Sequence, residues 1–187
     1  MRIDITLPIT EKMWMDAKAL NQRELEGHLG THFDTMDQEF PLDYTEREGM
    51  IYDVSHLKDR EIGLLEVDLS KVKAGMFVLF YTGYIERVPY GEGGYFKDHP
   101  QLSMELIRAL VEKGVSIIGL DFAGIRRTPE HIPTDQYCAE RGTFIIENLW
   151  NLQALLGLEQ PFLVHTYPLR STAISGLPCR VIVETEV

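Results

Sequence analysis

Apolar and polar positions alternate through the opening RIDITLPI, and that period of two predicts a first strand. The stretch around GHLGTHFDTMDQEF keeps neither a strand nor a helix period cleanly. Residues 41–61 are polar and acidic, and predict a loop broken by a short strand near Met50–Val54. IGLLEVDL and GMFVLFYTG predict two strands, the second apolar enough to be buried on both faces. VPYGEGGYFKDHP is punctuated by glycine and proline and predicts a loop. The period then changes. In SMELIRALVEKG, Leu106, Ala109 and Leu110 continue an apolar stripe that begins at Leu102. Ser103 suits the N-cap, Glu105 the first turn, Lys113 the last and Gly114 the stop. VSIIGLDF follows as a strand, PEHIP as a loop, and GTFIIENL as a strand ending in an acid. NLWNLQALLGL predicts a short helical piece, and PFLVHTYPL and PCRVIVETEV predict closing strands. The sum is one mixed α/β domain over residues 1–187, with parallel pairing through the crossover at 103–121.

Composition narrows the function. A net charge of −11, with no Lys/Arg cluster, excludes a nucleic-acid face. Two cysteines, Cys138 and Cys179, make no disulfide framework. MRIDITLPITEK lacks an apolar signal core, and no window approaches the roughly 18 apolar residues of a membrane span. The expectation is a cytoplasmic protein that meets a small molecule, with neither nucleic acid nor membrane as partner.

The run from Gly27 sets His28, His32 and Asp34 around Gly30. On a helix the two histidines would share a face, but Gly30 interrupts the turn and Asp34 points elsewhere. On a straight strand, six steps of about 3.3 Å spread the three over roughly 20 Å. Convergence on one ion therefore requires a bend, and Gly30 permits it through positive φ. Thr31 can hold such a turn through its hydroxyl. Two readings stand: a metal-ligand loop, or a solvated polar loop.

HLGTHFD resembles the signature H-x-G-T-H-x-D-x-P-x-H of the cyclase family of metal-dependent hydrolases, which includes kynurenine formamidases and isatin hydrolases. Residues 28, 30, 31, 32 and 34 match it, while Met36 and Gln38 replace its proline and last histidine. MRIDIT, GMFVLFYTGY, the leucine-serine pair before the helix, and IIENL with Glu147 extend the likeness. The family's downstream histidine, twelve residues before that glutamate, is replaced by Asp135. The resemblance implies a swivelling β/β/α domain with a mixed, barrel-like central sheet, and a homodimer or higher homo-oligomer. It implies that His28, His32 and Asp34 bind a divalent ion such as Zn²⁺ or Mn²⁺, and that Glu147 faces the centre. Asp34 would bridge to a second ion where two bind, with an all-carboxylate shell of Asp34, Asp135 and Glu147. The implied activity is attack of an ion-activated water on a small amide, as in arylformamidases that lead from tryptophan to kynurenine. Gln38 stands at the proton-shuttling position and can only hydrogen-bond. Acid-base work then falls to Glu147 or Asp135. A lapsed family member that merely binds a metal or small ligand is the alternative.

Other residues invite weaker readings. Tyr90, Tyr95 and Phe96 suit either a lid over an aromatic substrate or plain loop packing. Arg126 and Arg127 suit a substrate carboxylate or a solvated pair. His131 reaches the site only if its loop shifts. His99 and His165 are read as structural, and Cys138 has no visible base to activate it.

Overall fold

A computed structural model describes residues 1–19, 26–57 and 60–185. Among these described residues eight strands form one sheet: β1 (Arg2–Asp4), β2 (His32–Asp34), β3 (Glu46–Asp53), β4 (Phe77–Tyr81), β5 (Ile117–Leu120), β6 (Phe144–Glu147), β7 (Phe162–Pro168) and β8 (Gly176–Glu184). The neighbours run β1-β8-β2-β6-β5-β4-β3-β7, and β7 pairs back onto β8. Seven strands therefore close on themselves, and β1 and β2 share one edge of β8, opposite residues 182–184 and 176–178. Strands β3, β4, β5 and β6 run parallel to one another, whereas every pairing that involves β1, β2, β7 or β8 is antiparallel. This is the mixed α/β, barrel-like sheet that the resemblance implied.

The alternation of side chains along the strands sorts them into two cores. Phe33, Phe77, Leu79, Ile117, Ile146 and Val181 fill the barrel. Val78, Phe80, Ile118 and Ile145 face outward and are covered by Leu106, Ile107 and Leu110 of α3 (Met104–Glu112). Ser103 caps that helix by accepting from the Leu106 amide, and Gly114 ends it at φ +73°. On β2 and β6, His32, Asp34 and Glu147 alternate with the inward Phe33 and Ile146, so they too point outward.

Several expectations need correction. IGLLEVDL is no strand: Ile62 makes one bridge, Leu64–Glu66 is a 3₁₀ turn, and Leu65 is 94% exposed. The predicted short strand near Met50–Val54 begins earlier, at Glu46. PEHIP opens α4 (His131–Ala139), because Pro133 sits in the first turn, where no amide is needed. An unpredicted helix, α1 (Glu11–Ala19), buries none of its residues and so leaves no periodic stripe in the sequence. A short α2 (Tyr84–Arg87) follows β4. Parts of two predicted segments, Lys58–Asp59 and Glu186–Val187, lie outside the described residues. Among the described residues, no helix is long and apolar enough to cross a membrane.

Candidate metal centre

Three elements bring the titratable groups together. Gly30, at φ +70°, kinks the chain just before β2. Beyond the kink, His32 and Asp34 lie two apart on one face of the strand. His28, before the kink, swings back so that its Nδ1 lies 3.0 Å from Asp34 Oδ1. The bend reconciles the ligand spacing with a strand: half the motif is β2 and half is a turn. Gly176 on β8 leaves room for the His28 ring, since a Cβ there would sit 2.7 Å from it. The antiparallel register sets His32 directly opposite Glu147 on β6. Helix α4 then supplies His131 and Asp135 from one face, four residues apart.

The Gly30 peptide is gripped from both sides. Its amide donates to the Tyr90 hydroxyl at 3.0 Å, and its carbonyl accepts from Asn148 Nδ2 at 2.9 Å. Tyr95 in turn donates to Asn148 Oδ1 at 2.7 Å. The same carbonyl accepts from His32 Nδ1 at 2.8 Å, which puts the proton on Nδ1 and frees Nε2 as a donor atom for an ion. Thr31 works across strands instead of within its own turn, donating to the Asn148 carbonyl at 2.7 Å.

His32 Nε2 lies 3.6 Å from Asp34 and 3.7 Å from Glu147, too far for hydrogen bonds. His131 Nε2 lies 3.0 Å from both Asp135 Oδ2 and Glu147 Oε1. Three buried atoms, His32 Nε2, Asp34 Oδ2 and Asp135 Oδ1, have no partner among the described residues. Buried polar atoms without partners are costly, so their clustering is itself a signal for a ligand. Ligand atoms of His28, His32 and Asp34 lie within 4.8 Å of one another, and so do those of Asp34, His131 and Asp135. Asp34 belongs to both sets.

Electrostatics agree with that reading. Burial opposes charge on His32, yet Asp34 and Glu147 push the imidazole up to about 9. Burial likewise opposes charge on His131, yet Asp135 and Glu147 raise it to about 11. Burial raises Asp135 to about 8, with the Asp34 charge adding to the effect, and burial and Asp34 raise Glu147. Burial also works to raise Asp34, but His32 and His28 hold it well below the usual range. A cluster that recruits protons in this way demands positive charge, which a divalent ion supplies equally well. The donors fit one: two imidazoles with a carboxylate, and one imidazole with two carboxylates.

Of the residues singled out by sequence, His28, His32, Asp34, Asp135 and Glu147 converge. Gln38 does not. Met36, at φ +55°, turns the chain away, and Gln38 is exposed and donates to Asp37. His131 is the addition: read as a loop residue, it reaches the centre because its segment is helical. It gives the second set an imidazole, so that set is not all carboxylate. Arg126 and Arg127 are engaged with protein groups, Glu61 and Glu130 for the first and the His99 and Asp98 carbonyls for the second. A cleft of about 780 Å³ opens over the cluster, lined by His28, His32, His131 and Glu147 together with Met13, Tyr90, Phe96 and Trp150. It sits near the carboxyl ends of the parallel strands, where ligands of open α/β sheets also bind.

The sequence matches the profile of the Cyclase family, described as "Putative cyclase", over residues 3–126. The match includes His28, His32 and Asp34 and stops before His131. No relative was found among curated proteins. A "potential metal-dependent hydrolase with cyclase activity" superposes with TM-score 0.74 at 24% identity, covering 98% of this chain and 96% of that one. A "predicted metal-dependent hydrolase" from Bacillus stearothermophilus gives 0.72 at 22%, covering 98% and 97%. Isatin hydrolase A from Labrenzia aggregata, bound to benzyl benzoate, gives 0.69 at 19%, covering 84% and 73%. At these identities the likenesses establish the fold.

Proposed function

This chain belongs to the Cyclase family, and on that premise we propose that it is a metal-dependent hydrolase of carbonyl–nitrogen bonds in small cyclic amides or N-formyl amines. The observation that carries the proposal is the cluster of three buried donor atoms, His32 Nε2, Asp34 Oδ2 and Asp135 Oδ1, that have no partner among the described residues. His28, His32 and Asp34 would hold one ion, and Asp34, His131 and Asp135 a second, with Glu147 bordering both. Zn²⁺ and Mn²⁺ both suit these donors. When bound there, a divalent ion supplies an acidified water and positive charge beside a carbonyl oxygen.

The chain's own residues do the rest. Tyr90, Phe96, Trp150 and Met13 give the cleft apolar walls that take a flat, hydrophobic substrate and thin the water around it. An aromatic amide fits this lining, which is the basis for an arylformamidase- or isatin hydrolase-like reading. His32 is fixed in one tautomer by the Gly30 carbonyl. Glu147, raised by burial and by Asp34, accepts a proton at a carboxylate oxygen and returns it to the leaving nitrogen. Glu147→Gln should lower turnover by about a hundredfold to ten-thousandfold, the usual contribution of a positioned acid-base group. Circular dichroism should remain that of the parent chain, and full activity of the variant would contradict the role.

The test of the function is metal analysis joined to a turnover screen on N-formylkynurenine, isatin and simple lactones. A stoichiometric ion with turnover of a carbonyl–nitrogen substrate supports the proposal. A bound ion with no turnover favours a second reading, a metal or small-ligand binding protein. The exposure of Gln38 supports that reading, because position 38 sends no proton-carrying group toward the cleft. Absence of any stoichiometric ion sinks the hydrolase reading and the metal-binding form of the second.

A further inference from the structure

We propose that Arg126 is a positioning residue for the second ligand set, fixing the start of α4 so that His131 and Asp135 stay aimed at Asp34; this rests on the two-ion reading above. The Arg126 side chain is 8% exposed. Its Nη1 donates to Glu61 Oε1 and to the Leu102 carbonyl, both at 2.7 Å. Its Nε and Nη2 donate to Glu130 Oε2 at 3.2 and 2.6 Å. Glu130 is the N-cap residue of α4 and directly precedes His131, and its side chain makes no capping bond of its own. The Glu130 carbonyl accepts from the Thr134 amide at 3.0 Å and the Thr134 hydroxyl at 2.7 Å, which binds the cap to the first turn. The guanidinium thus strings the beginning of α4 to the segment just before α3.

Ion-pair energy does not explain this arrangement. Glu61 and Glu130 are 43% and 54% exposed, and half-solvated pairs contribute little to stability. A planar fork held by a buried backbone carbonyl contributes geometry instead. That geometry matters on one side of the centre only. His28, His32 and Asp34 are held by β2 and the Gly30 peptide, which Arg126 does not touch. His131 and Asp135 depend on where α4 begins. Supporting contacts behind metal ligands typically change affinity by about tenfold to a hundredfold. Arg126 therefore governs one ion and leaves the other alone.

The experiment titrates the 187-residue chain and its Arg126→Met and Glu130→Gln variants with Mn²⁺, by calorimetry and by electron paramagnetic resonance. The parent should bind two ions with a spin-coupled signal. Arg126→Met should keep the first ion at unchanged affinity, bind the second about tenfold to a hundredfold more weakly, and show the six-line signal of isolated Mn²⁺ at one equivalent above the first affinity. Glu130→Gln should move in the same direction, and Arg126→Lys should recover part of the loss. Glu130→Gln, at a half-exposed position, carries the test if Arg126→Met does not fold. Unchanged affinities in both variants, or equal weakening of both ions, would overturn the proposal. Fewer than two ions in the parent chain would instead overturn the two-ion reading beneath it, before any variant is compared.

Discussion

His99 shows how one side chain couples burial to pH. It is 2% exposed, its ring stacks on Phe122 at 5.8 Å, and its Nδ1 donates to the Pro100 carbonyl at 2.7 Å. Burial pushes its imidazole down to about 4, helped by the charge of Arg127. A base whose folded pKa is depressed stabilises the fold above its unfolded value of about 6.5 and loses that contribution as pH falls toward 4. The loss amounts to about 3 kcal/mol at 1.36 kcal/mol per unit. His32 and His131 are raised, so their contribution is complete below about 6.5 and fades only at alkaline pH. Asp135 and Glu147, both raised, work in the opposite direction over the same window, so the loss is read as the difference in denaturant unfolding between the ion-free parent and His99→Phe from pH 6.5 to 4, the variant, which keeps a stacked ring, being the less acid-sensitive of the two. Equal acid sensitivity in both would contradict the assignment.

At the scale of elements, the site depends on where strands and turns let side chains approach. Gly176→Ala on β8 would drive a methyl into the His28 ring. The first ion should then bind about tenfold more weakly, with the second unchanged, and metal titration checks it. A first-ion affinity equal to the parent's would show that His28 has room to spare. The same elements explain what was legible in the sequence. GMFVLFYTG and VSIIGLDF announce buried strands, because both faces of their sheet are covered. The convergence of His28, His32 and Asp34 was legible because the three crowd into one run that only a bend can bring together. His131 was not, because a proline in PEHIP resembles a loop signal until its place in a first helical turn is known. Helix α1 was invisible because it buries no face. Gln38 looked central because it continues the motif in sequence, while the turn at Met36 takes it to the surface.

For the whole molecule, closure of the sheet was beyond sequence patterning, since the pairing of β7 with β8 and the register of His32 against Glu147 are long-range facts. Family likeness supplied the barrel-like sheet, though neither of those pairings. It also implies a homo-oligomer, and α1 leaves Trp14 and Met15 at 55% and 56% exposure. Light scattering should give twice the chain mass of 21.4 kDa, or a higher multiple of it. Trp14→Ser with Met15→Ser should shift the population toward monomer if that helix joins the copies. A monomeric parent would contradict the expectation. The most direct measurement is a crystal soaked in Mn²⁺ with anomalous data collected for the metal. Two peaks flanking Asp34 are predicted, one beside His28 and His32 and the other beside His131 and Asp135. A map with no peak near Asp34, at saturating Mn²⁺, would contradict the account.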